Sequence, residues 1–218
     1  MIDLRRDNDV FLLTMNDGEN RINARFVDGF SSALDEVERH KGNCSLVTTG
    51  TGKFYSNGFD LAWLGSECED SPAFVRRVER LFARILTFPR PTLAAINGHA
   101  FAAGAMLVLA HDSSVMRTDR GYYCLPEVDL GTAFPPGLMA LIRARLPQPV
   151  LHEACTTGKR YGAGDALARG IVGEVAAESE VLPRAIARAR ELAGKGGGTL
   201  AAIKRGLYAS ALSVLEQS

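Results

Sequence analysis

The stretch that decides the fold runs from Pro91 to Gly131 and reads PTLAAINGHAFAAGAMLVLAHDSSVMRTDRGYYCLPEVDLG. It opens with a short apolar run, residues 92–96, that ends at Asn97-Gly98, a pattern that predicts a buried strand and a turn. A run of small residues then leads into an apolar helix predicted over about 102–111. Small side chains at a helix start let another molecule approach backbone N–H groups that have no partner inside the helix. The stretch therefore predicts a place where a ligand can meet the backbone.

A single carboxylate follows the predicted helix. A pair of strands is predicted near 115–117 and 122–125, and it delivers Glu127 directly after Pro126. Amide donors at a helix start and one carboxylate from a strand end suit a specific chemistry, in which the donors hold a carbonyl oxygen while the base removes the adjacent proton. The other interpretation is a tightly packed helix beside a surface glutamate.

Composition limits the classes of protein that fit this chain. Its 218 residues, 46% hydrophobic and 23% charged, are enough to bury a core as one domain with a small appendage. A formal net charge of +0 argues against nucleic acid as the main partner, because no basic surplus exists to neutralise phosphates. No apolar run reaches membrane-spanning length, and Met1–Arg6 is not typical of a signal peptide. We expect no nucleic acid and no membrane among the partners.

The cysteines and the metal-ligand residues give two more expectations. Four cysteines are widely spaced with no CxxC pair, which favours reduced thiols in a cytoplasmic protein. No cluster of His, Cys and carboxylates has metal-ligand spacing, so the sequence predicts no metal.

Strands and helices alternate up to about residue 130, which predicts an α/β core with parallel pairing. The expected elements there are a hairpin over 2–15, a helix over 24–40, a buried strand over 44–49, a loop over 65–72 and an amphipathic helix over 73–88. Beyond Gly131 the pattern is almost entirely helical, with helices predicted over 136–145, 149–157, 161–169, 181–193 and 199–215 and an edge strand over 171–175. We divide the chain into a core, residues 1–175, and a C-terminal helical segment, residues 176–218.

The second informative stretch is FYSNGFDL, Phe54 to Leu61, which joins a buried strand to a predicted helix. Gly58 allows a backbone conformation that other residues avoid, and the side chain of Asp60 is placed to cap the next turn. A turn of this kind leaves the N–H of Phe59 pointing outward. By itself the pattern is weak, because many turns between a strand and a helix look like this.

Together the two stretches resemble the enoyl-CoA hydratase/isomerase family, also called the crotonase superfamily. The resemblance rests on FYSNGFDL, on AAINGHAFAAGAMLVLAHD and on PEVDLG, in the family's order and spacing, and it covers roughly residues 2–175. Within the family, FYSNGFDLAW and DRGYYCLPEVDLG look most like the plant-type Δ3,Δ2-enoyl-CoA isomerases.

The resemblance implies a spiral core of repeated ββα units and C-terminal helices that build a homotrimer or a dimer of trimers. It implies an acyl-CoA substrate with no cofactor beyond the coenzyme A that the substrate carries. The N–H groups of Phe59 and Ala103 would hold the thioester oxygen, and carbonyls near Ser56 would receive the adenine. The other residues assigned to substrate binding are Gly58, Asp60, Leu61, Trp63, Gly104, Met106, Pro126, Phe134 and Lys204.

Two departures from the family pattern matter. Family hydratases carry a second carboxylate two residues after the glycine that corresponds to Gly104, and here that residue is Met106. The C-terminal part is also short for the family, which affects the trimer contacts and the C-terminal contact with coenzyme A. Lys204 is the candidate for that phosphate contact, and a solvated surface lysine is the other interpretation.

Glu127 is the predicted catalytic base, and we expect it among apolar groups such as Leu125, Phe134 and Trp63. A thioether at Met106 cannot activate water, whereas moving a double bond from C3 to C2 needs one carboxylate. The sequence therefore predicts a Δ3-to-Δ2-enoyl-CoA isomerase. A hydratase, an acyl-CoA hydrolase and a non-catalytic acyl-CoA binder remain alternatives. Asp129 and His99 are rival bases, although the sequence favours a structural or exposed aspartate and a solvated or packed histidine.

Overall fold

Two sheets organise the protein in a computed structural model that describes residues 1–217. The strands are β1 (Ile2–Asp7), β2 (Val10–Met15), β3 (Ser45–Gly50), β4 (Phe54–Ser56), β5 (Thr92–Ile96), β6 (His99–Phe101), β7 (Ser113–Arg117), β8 (Tyr123–Cys124) and β9 (Glu174–Ala176). The larger sheet has the order β1-β2-β3-β5-β7-β9, and the smaller one has the order β4-β6-β8. Only the hairpin β1–β2 is antiparallel, and every other pair in both sheets is parallel.

The predicted strand pair near 115–117 and 122–125 is wrong, because β7 and β8 belong to different sheets. Gly121 redirects the chain between them with φ +99°. An added Cβ there would lie 2.7 Å from the carbonyl carbon of Gly98, so the two turns are in close contact. As a result the chain leaves the larger sheet after β7 and adds β8 to the smaller one.

Ten α-helices surround the sheets. They are α1 (Ala24–Arg39), α2 (Leu61–Ser66), α3 (Ser71–Leu86), α4 (Ala103–Ala110), α5 (Pro136–Arg145), α6 (Gln148–Thr157), α7 (Ala163–Ala168), α8 (Glu178–Leu192), α9 (Gly198–Leu207) and α10 (Ala209–Leu215) within the described residues. The predicted loop over 65–72 is shorter than expected, because α2 continues to Ser66 and Pro72 lies in the first turn of α3. The predicted single helix over 199–215 is two helices, which meet at Tyr208.

The apolar faces of the helices explain the layers. Helices α1 and α3 each bury one face in the main core, whereas all eight residues of α4 are buried, which makes α4 the central helix of the fold. On the other face of the larger sheet, Val181, Ala185 and Ala189 of α8 pack against strand residues such as Val47 and Leu93. Helix α8 follows the boundary drawn at residue 175, yet it covers a face of the sheet. The C-terminal segment is therefore built into the core.

Both loops that the sequence singled out follow strand ends. The first loop, residues 54–60, comes after β3 and contains β4, and the second loop, residues 97–103, connects β5 to α4 through β6. Strands β3 and β5 are parallel neighbours, so their carboxyl ends lie at the same edge of the larger sheet. The topology therefore brings the two loops together. Across residues 1–217 the structure contains no helix of the length and apolar character needed to span a membrane.

Candidate active site

Two glycines let the first and second loops touch backbone to backbone. A Cβ on Gly58 would lie 2.9 Å from the Ala102 Cβ and 3.2 Å from the Ala103 nitrogen. A Cβ on Gly104 would lie 2.3 Å from the Ser56 carbonyl oxygen. Any larger residue at either position would push the loops apart, and Gly58 also has φ +80°, a conformation that favours glycine.

The backbone N–H groups of Phe59 and Ala103 have no acceptor within residues 1–217. Ala103 is the first residue of α4, so its N–H has no partner inside the helix, and its residue is only 1% exposed. The residue before it, Ala102, has φ +50° and ψ −126°, a strained conformation for a non-glycine residue. Phe59 is half-buried and Ala103 is fully buried. Because unpaired N–H groups shielded from water are rare and costly, these two at adjoining loops indicate a site that an external oxygen completes.

An apolar cavity of about 240 Å³ opens beside these loops. Its lining comes from both loops, from α2, α3 and α4, and from the segment that follows β8: Asn57, Phe59, Leu61, Leu64, Val75, Ala102, Met106, Glu127, Leu130, Thr132, Ala133, Pro135 and Leu138. Larger hollows occur on the surface, but this one is lined by Phe59 and by the buried Glu127. We therefore place the candidate active site here.

Glu127 is the buried carboxylate in the cavity wall. Glu127 follows Pro126 in a turn that two hydrogen bonds close. The Asp129 N–H donates to the Pro126 carbonyl (2.9 Å), and the Thr132 N–H donates to the Glu127 carbonyl (3.1 Å). The residue is 6% exposed, and its Oε2 atom has no hydrogen-bond partner in the described chain. Burial raises the pKa of Glu127 from 4.5 to about 7, partly offset by its own backbone N–H. Near neutral pH this carboxyl group is poised both to accept and to return a proton.

The structure separates the two rival bases from the cavity. Asp129 could share a face with Glu127 only on an extended segment, but the segment is a turn, and its exposed carboxylate lies against Gly158. The His99 ring packs between Phe54 and Phe101, at centroid distances of 5.3 and 4.9 Å. Neither residue lines the cavity.

Two of the predicted apolar contacts lie elsewhere. Trp63 packs on Phe74 with ring centroids 4.8 Å apart and does not line the cavity, where Leu61 and Leu64 of the same helix stand. Phe134 is partly buried and packs against the core. Its sequence neighbours, Ala133 and Pro135, line the cavity. The cavity wall that holds Glu127 is mainly apolar, as predicted, but neither Trp63 nor Phe134 lines it.

Other predicted substrate contacts hold the loops in shape. Ser56 is fully buried, and its hydroxyl donates to the Asn20 carbonyl at 2.7 Å. That the carbonyls near Ser56 receive the adenine stays a prediction. Asp60 caps α2 by accepting from the Trp63 N–H at 3.2 Å, as the sequence predicted. Pro126 begins the turn that carries Glu127. Their roles are to position the residues that border the cavity.

The prediction that Lys204 contacts a coenzyme A phosphate is wrong. Its residue is 4% exposed, and its ammonium group donates to Asp112 at 2.7 Å and to the carbonyls of Phe88 and Arg90. Asp112 also accepts from the Thr92 N–H, so the group lies at the start of β5. The site lies past the other end of that five-residue strand, roughly 16 Å away at the usual rise per residue. Lys204 fastens α9 to the core.

Sequence reasoning missed several residues of the cavity wall. Asn57 was inside the quoted motif, but its partial exposure could not be read from the motif. Val75 lies between the periodic residues Phe74 and Val78, so the helical pattern of α3 gave no reason to select it. Leu130 and Leu138 come from the segment after Glu127, whose path depends on tertiary packing.

Known proteins with similar sequences show the family to which the chain belongs. A family model described as enoyl-CoA hydratase/isomerase matches residues 5–218. The peroxisomal enoyl-CoA delta isomerase 2 of Arabidopsis thaliana is 37% identical over 228 residues, which cover 99% of this chain and 95% of that protein.

Solved structures also match this chain along nearly its whole length. The crystal structure of the probable enoyl-CoA hydratase EchA3 of Mycobacterium tuberculosis has a TM-score of 0.92 and 29% identity, over 99% of this chain and 92% of that one. An apo structure described as an enoyl-CoA isomerase of M. tuberculosis has a TM-score of 0.91 and 29% identity, over 99% and 94% of the two chains. The fold is the crotonase fold, and the chain belongs to the enoyl-CoA hydratase/isomerase family.

Proposed function

We propose that this protein is a Δ3-to-Δ2-enoyl-CoA isomerase. The observation that carries the proposal is one buried carboxylate, that of Glu127, whose Oε2 atom has no hydrogen-bond partner in the described chain, in an apolar cavity beside two backbone N–H groups without acceptors. The similarity to a plant enoyl-CoA delta isomerase over nearly the whole chain supports the same reaction.

The reaction needs three groups. The thioester oxygen of the acyl-CoA accepts hydrogen bonds from the N–H groups of Phe59 and Ala103. Glu127 takes a proton from C2, and the electron pair of that C–H bond forms an enolate whose negative oxygen the two N–H groups stabilise. Glu127 then returns the proton to C4, the double bond moves from C3 to C2, and the enolate collapses to the thioester. The reaction consumes no water and needs no second base.

The environment of Glu127 suits both halves of the reaction. Proton transfer is most efficient when the pKa of the catalytic group lies near the working pH. Burial raises the pKa of Glu127 to about 7, which makes the carboxylate a stronger base toward the C2 proton, while its conjugate acid is still acidic enough to return the proton to the enolate. The cavity wall around it is mainly apolar, which keeps water from quenching the enolate.

Hydration of 2-enoyl-CoA is the second candidate, because one closely matching structure is described as a probable hydratase. Addition of water needs a positioned water molecule and two proton transfers, which two carboxylates perform in the family's hydratases. Met106, which lines the cavity, supplies a thioether where the second carboxylate would stand. The same absence of a water-activating group weighs against an acyl-CoA hydrolase, and the retained base weighs against a non-catalytic binder.

We further propose a homotrimer or a dimer of trimers, located in the cytoplasm, that uses no cofactor besides the substrate's coenzyme A. Exposed apolar side chains on α9, Ile203 (54%) and Leu207 (71%), support an assembly that covers this helix. Four free cysteines support a reducing compartment. Mass measurement in solution tests the assembly, and a monomer with full activity would overturn it.

The test of the proposed function is a panel of 3-enoyl-CoA and 2-enoyl-CoA substrates with the purified protein. We expect 3-enoyl-CoA to be converted to the conjugated thioester, followed by its ultraviolet absorbance, and 2-enoyl-CoA to be hydrated far more slowly. Binding of acyl-CoA should also raise the melting temperature. Hydration as fast as isomerisation would overturn the choice of reaction, and binding without either turnover would make the protein a binder.

A further inference from the structure

Asn20 is a buried amide whose side-chain hydrogen bonds all go to backbone groups. The residue is 1% exposed and has φ +52°, a left-handed conformation that asparagine tolerates better than most residues. Its Nδ2 atom donates to the carbonyl oxygens of Phe54 (3.1 Å) and Tyr55 (3.2 Å), and its Oδ1 atom accepts from the Asp17 N–H (2.9 Å). Because carbonyls only accept and an N–H only donates, these partners fix the orientation of the amide.

A second amide reaches the same carbonyl from the other loop. Asn97 lies at the start of the second loop, and its Nδ2 atom donates to Phe54 O at 3.4 Å and to Gly52 O at 3.3 Å. Its Oδ1 atom accepts from the Gly50 N–H at 2.9 Å. The Phe54 carbonyl is therefore shared by Asn20 and Asn97, which we call the amide clamp. The clamp joins the start of the first loop to the start of the second.

The segment that contains Asn20 also follows the first loop along its length. The Asn57 N–H donates to Glu19 O at 3.0 Å, the Ile22 N–H donates to Gly58 O at 2.8 Å, and the Asp60 N–H donates to Ile22 O at 3.0 Å. The backbone of Ile22 thus bonds to the residues on both sides of Phe59, and the Phe59 N–H is left without a partner. This pattern holds the N–H toward the cavity instead of into the protein.

We propose that the amide clamp of Asn20 and Asn97 sets the distance between the N–H groups of Phe59 and Ala103. Asn20 and Asn97 are then positioning residues for the enolate oxygen. The inference rests on the proposed function, since it assigns the clamp a role in that reaction. Neither residue lines the cavity, so the clamp acts only through the backbone of the two loops. Asn20 is buried and Asn97 is partly buried. A network of satisfied polar groups specifies one geometry more sharply than apolar packing does, and small misplacements at a reacting centre cost large factors in rate.

The variant that tests the clamp is Asn20→Gly, because glycine keeps the left-handed backbone and removes only the amide. Asn8→Gly is the matched control: Asn8 has φ +56° but is exposed in the β1–β2 turn, where its side chain bonds only to Asp7. Asn97→Ala and the double variant Asn20→Gly/Asn97→Ala complete a cycle that measures whether the two amides act together.

Two readouts separate positioning from loss of structure. In steady-state assays, we expect Asn20→Gly to lower kcat at least about tenfold with KM within about threefold, and Asn8→Gly to change neither. The second readout uses a 3-oxoacyl-CoA, whose enolate form absorbs in the near ultraviolet. We expect the parent to bind it as the enolate, and Asn20→Gly to bind it with most of that absorbance lost.

Each outcome decides a specific point. A double variant no slower than the slower single variant supports a shared clamp, whereas effects that multiply would overturn it. Unchanged kcat and enolate absorbance in Asn20→Gly would overturn the role of Asn20, and if that variant does not fold, Asn97→Ala decides by the same readouts. A parent that forms the enolate but does not isomerise 3-enoyl-CoA would contradict the proposed function while the clamp is still measured by absorbance. A parent that does neither would overturn both.

Discussion

Replacing Glu127 by glutamine should remove activity and stabilise the protein at alkaline pH. The carboxyl group is 6% exposed, and burial raises its pKa from 4.5 to about 7. Between these two values the unfolded chain releases the proton while the folded protein keeps it, so the free energy of unfolding falls as the pH rises. Above pH 7 both states are ionised and the loss levels off at roughly 3 kcal/mol. Below pH 4.5 both states hold the proton and the loss disappears.

Glutamine has nearly the same shape and does not titrate. The difference in unfolding free energy between Glu127→Gln and the parent should therefore increase by about 2 to 3 kcal/mol in favour of the variant between pH 5 and pH 8. Over the same range, kcat of the parent's isomerisation should exceed that of the variant by at least ~100-fold, and the parent's kcat/KM should fall about tenfold per pH unit below pH 7.

Urea denaturation at the two pH values measures the stability difference, and formation of the conjugated thioester measures the rate. Asp129→Asn is the matched control, since Asp129 lies in the same turn with an exposed side chain, and it should change neither quantity. If the stability difference is the same at pH 5 and pH 8, the reasoning from burial is wrong even if activity is lost. If Glu127→Gln keeps its activity within a few-fold, the base lies elsewhere.

Three other variants test separate parts of the site. Gly58→Ala should lower kcat at least ~10-fold in the isomerase assay, because its Cβ would meet Ala102 at 2.9 Å; unchanged kcat would mean that the loop contact is not needed. Met106→Glu should cost ~1–3 kcal/mol in denaturant unfolding and should give measurable hydration of 2-enoyl-CoA; no gain over the parent would contradict our interpretation of Met106. Lys204→Met should cost about 3–5 kcal/mol by the same unfolding assay, because it leaves Asp112 without its cation, while the affinity for coenzyme A measured by calorimetry stays unchanged. A selective loss of that affinity would restore the phosphate contact.

The sequence predicted correctly the strands, helices and caps whose physical cause is local. The apolar run before Asn97-Gly98 is β5, and the small residues after it lead into the buried helix α4. Asp60 caps α2 as its spacing from the next turn indicated. In each case the physical cause lies within a few residues of the pattern itself, such as a turn, a cap or a periodic apolar face.

Residues whose roles depend on distant parts of the chain were not predictable in this way. Lys204 looks like a surface cation until Asp112, 92 positions earlier, takes its ammonium group. Asn20 looks like a loop residue until two carbonyls from β4, more than thirty positions later, accept from its amide. Trp63 and Leu64 are adjacent in sequence, and only the packing of α2 decides that Leu64 borders the cavity.

The strand order of the larger sheet has a consequence for how the chain folds during synthesis. The order β1-β2-β3-β5-β7-β9 places every new strand at the growing edge, so no strand has to be inserted between two that have already paired. Parallel pairing is slow because each contact closes a long loop, but a chain that emerges N-terminus first can add these strands one at a time. We expect the nascent chain to carry a lengthening open edge until β9 pairs with β7. The ion pair between Lys204 and Asp112, which lies just before β7, would then form last.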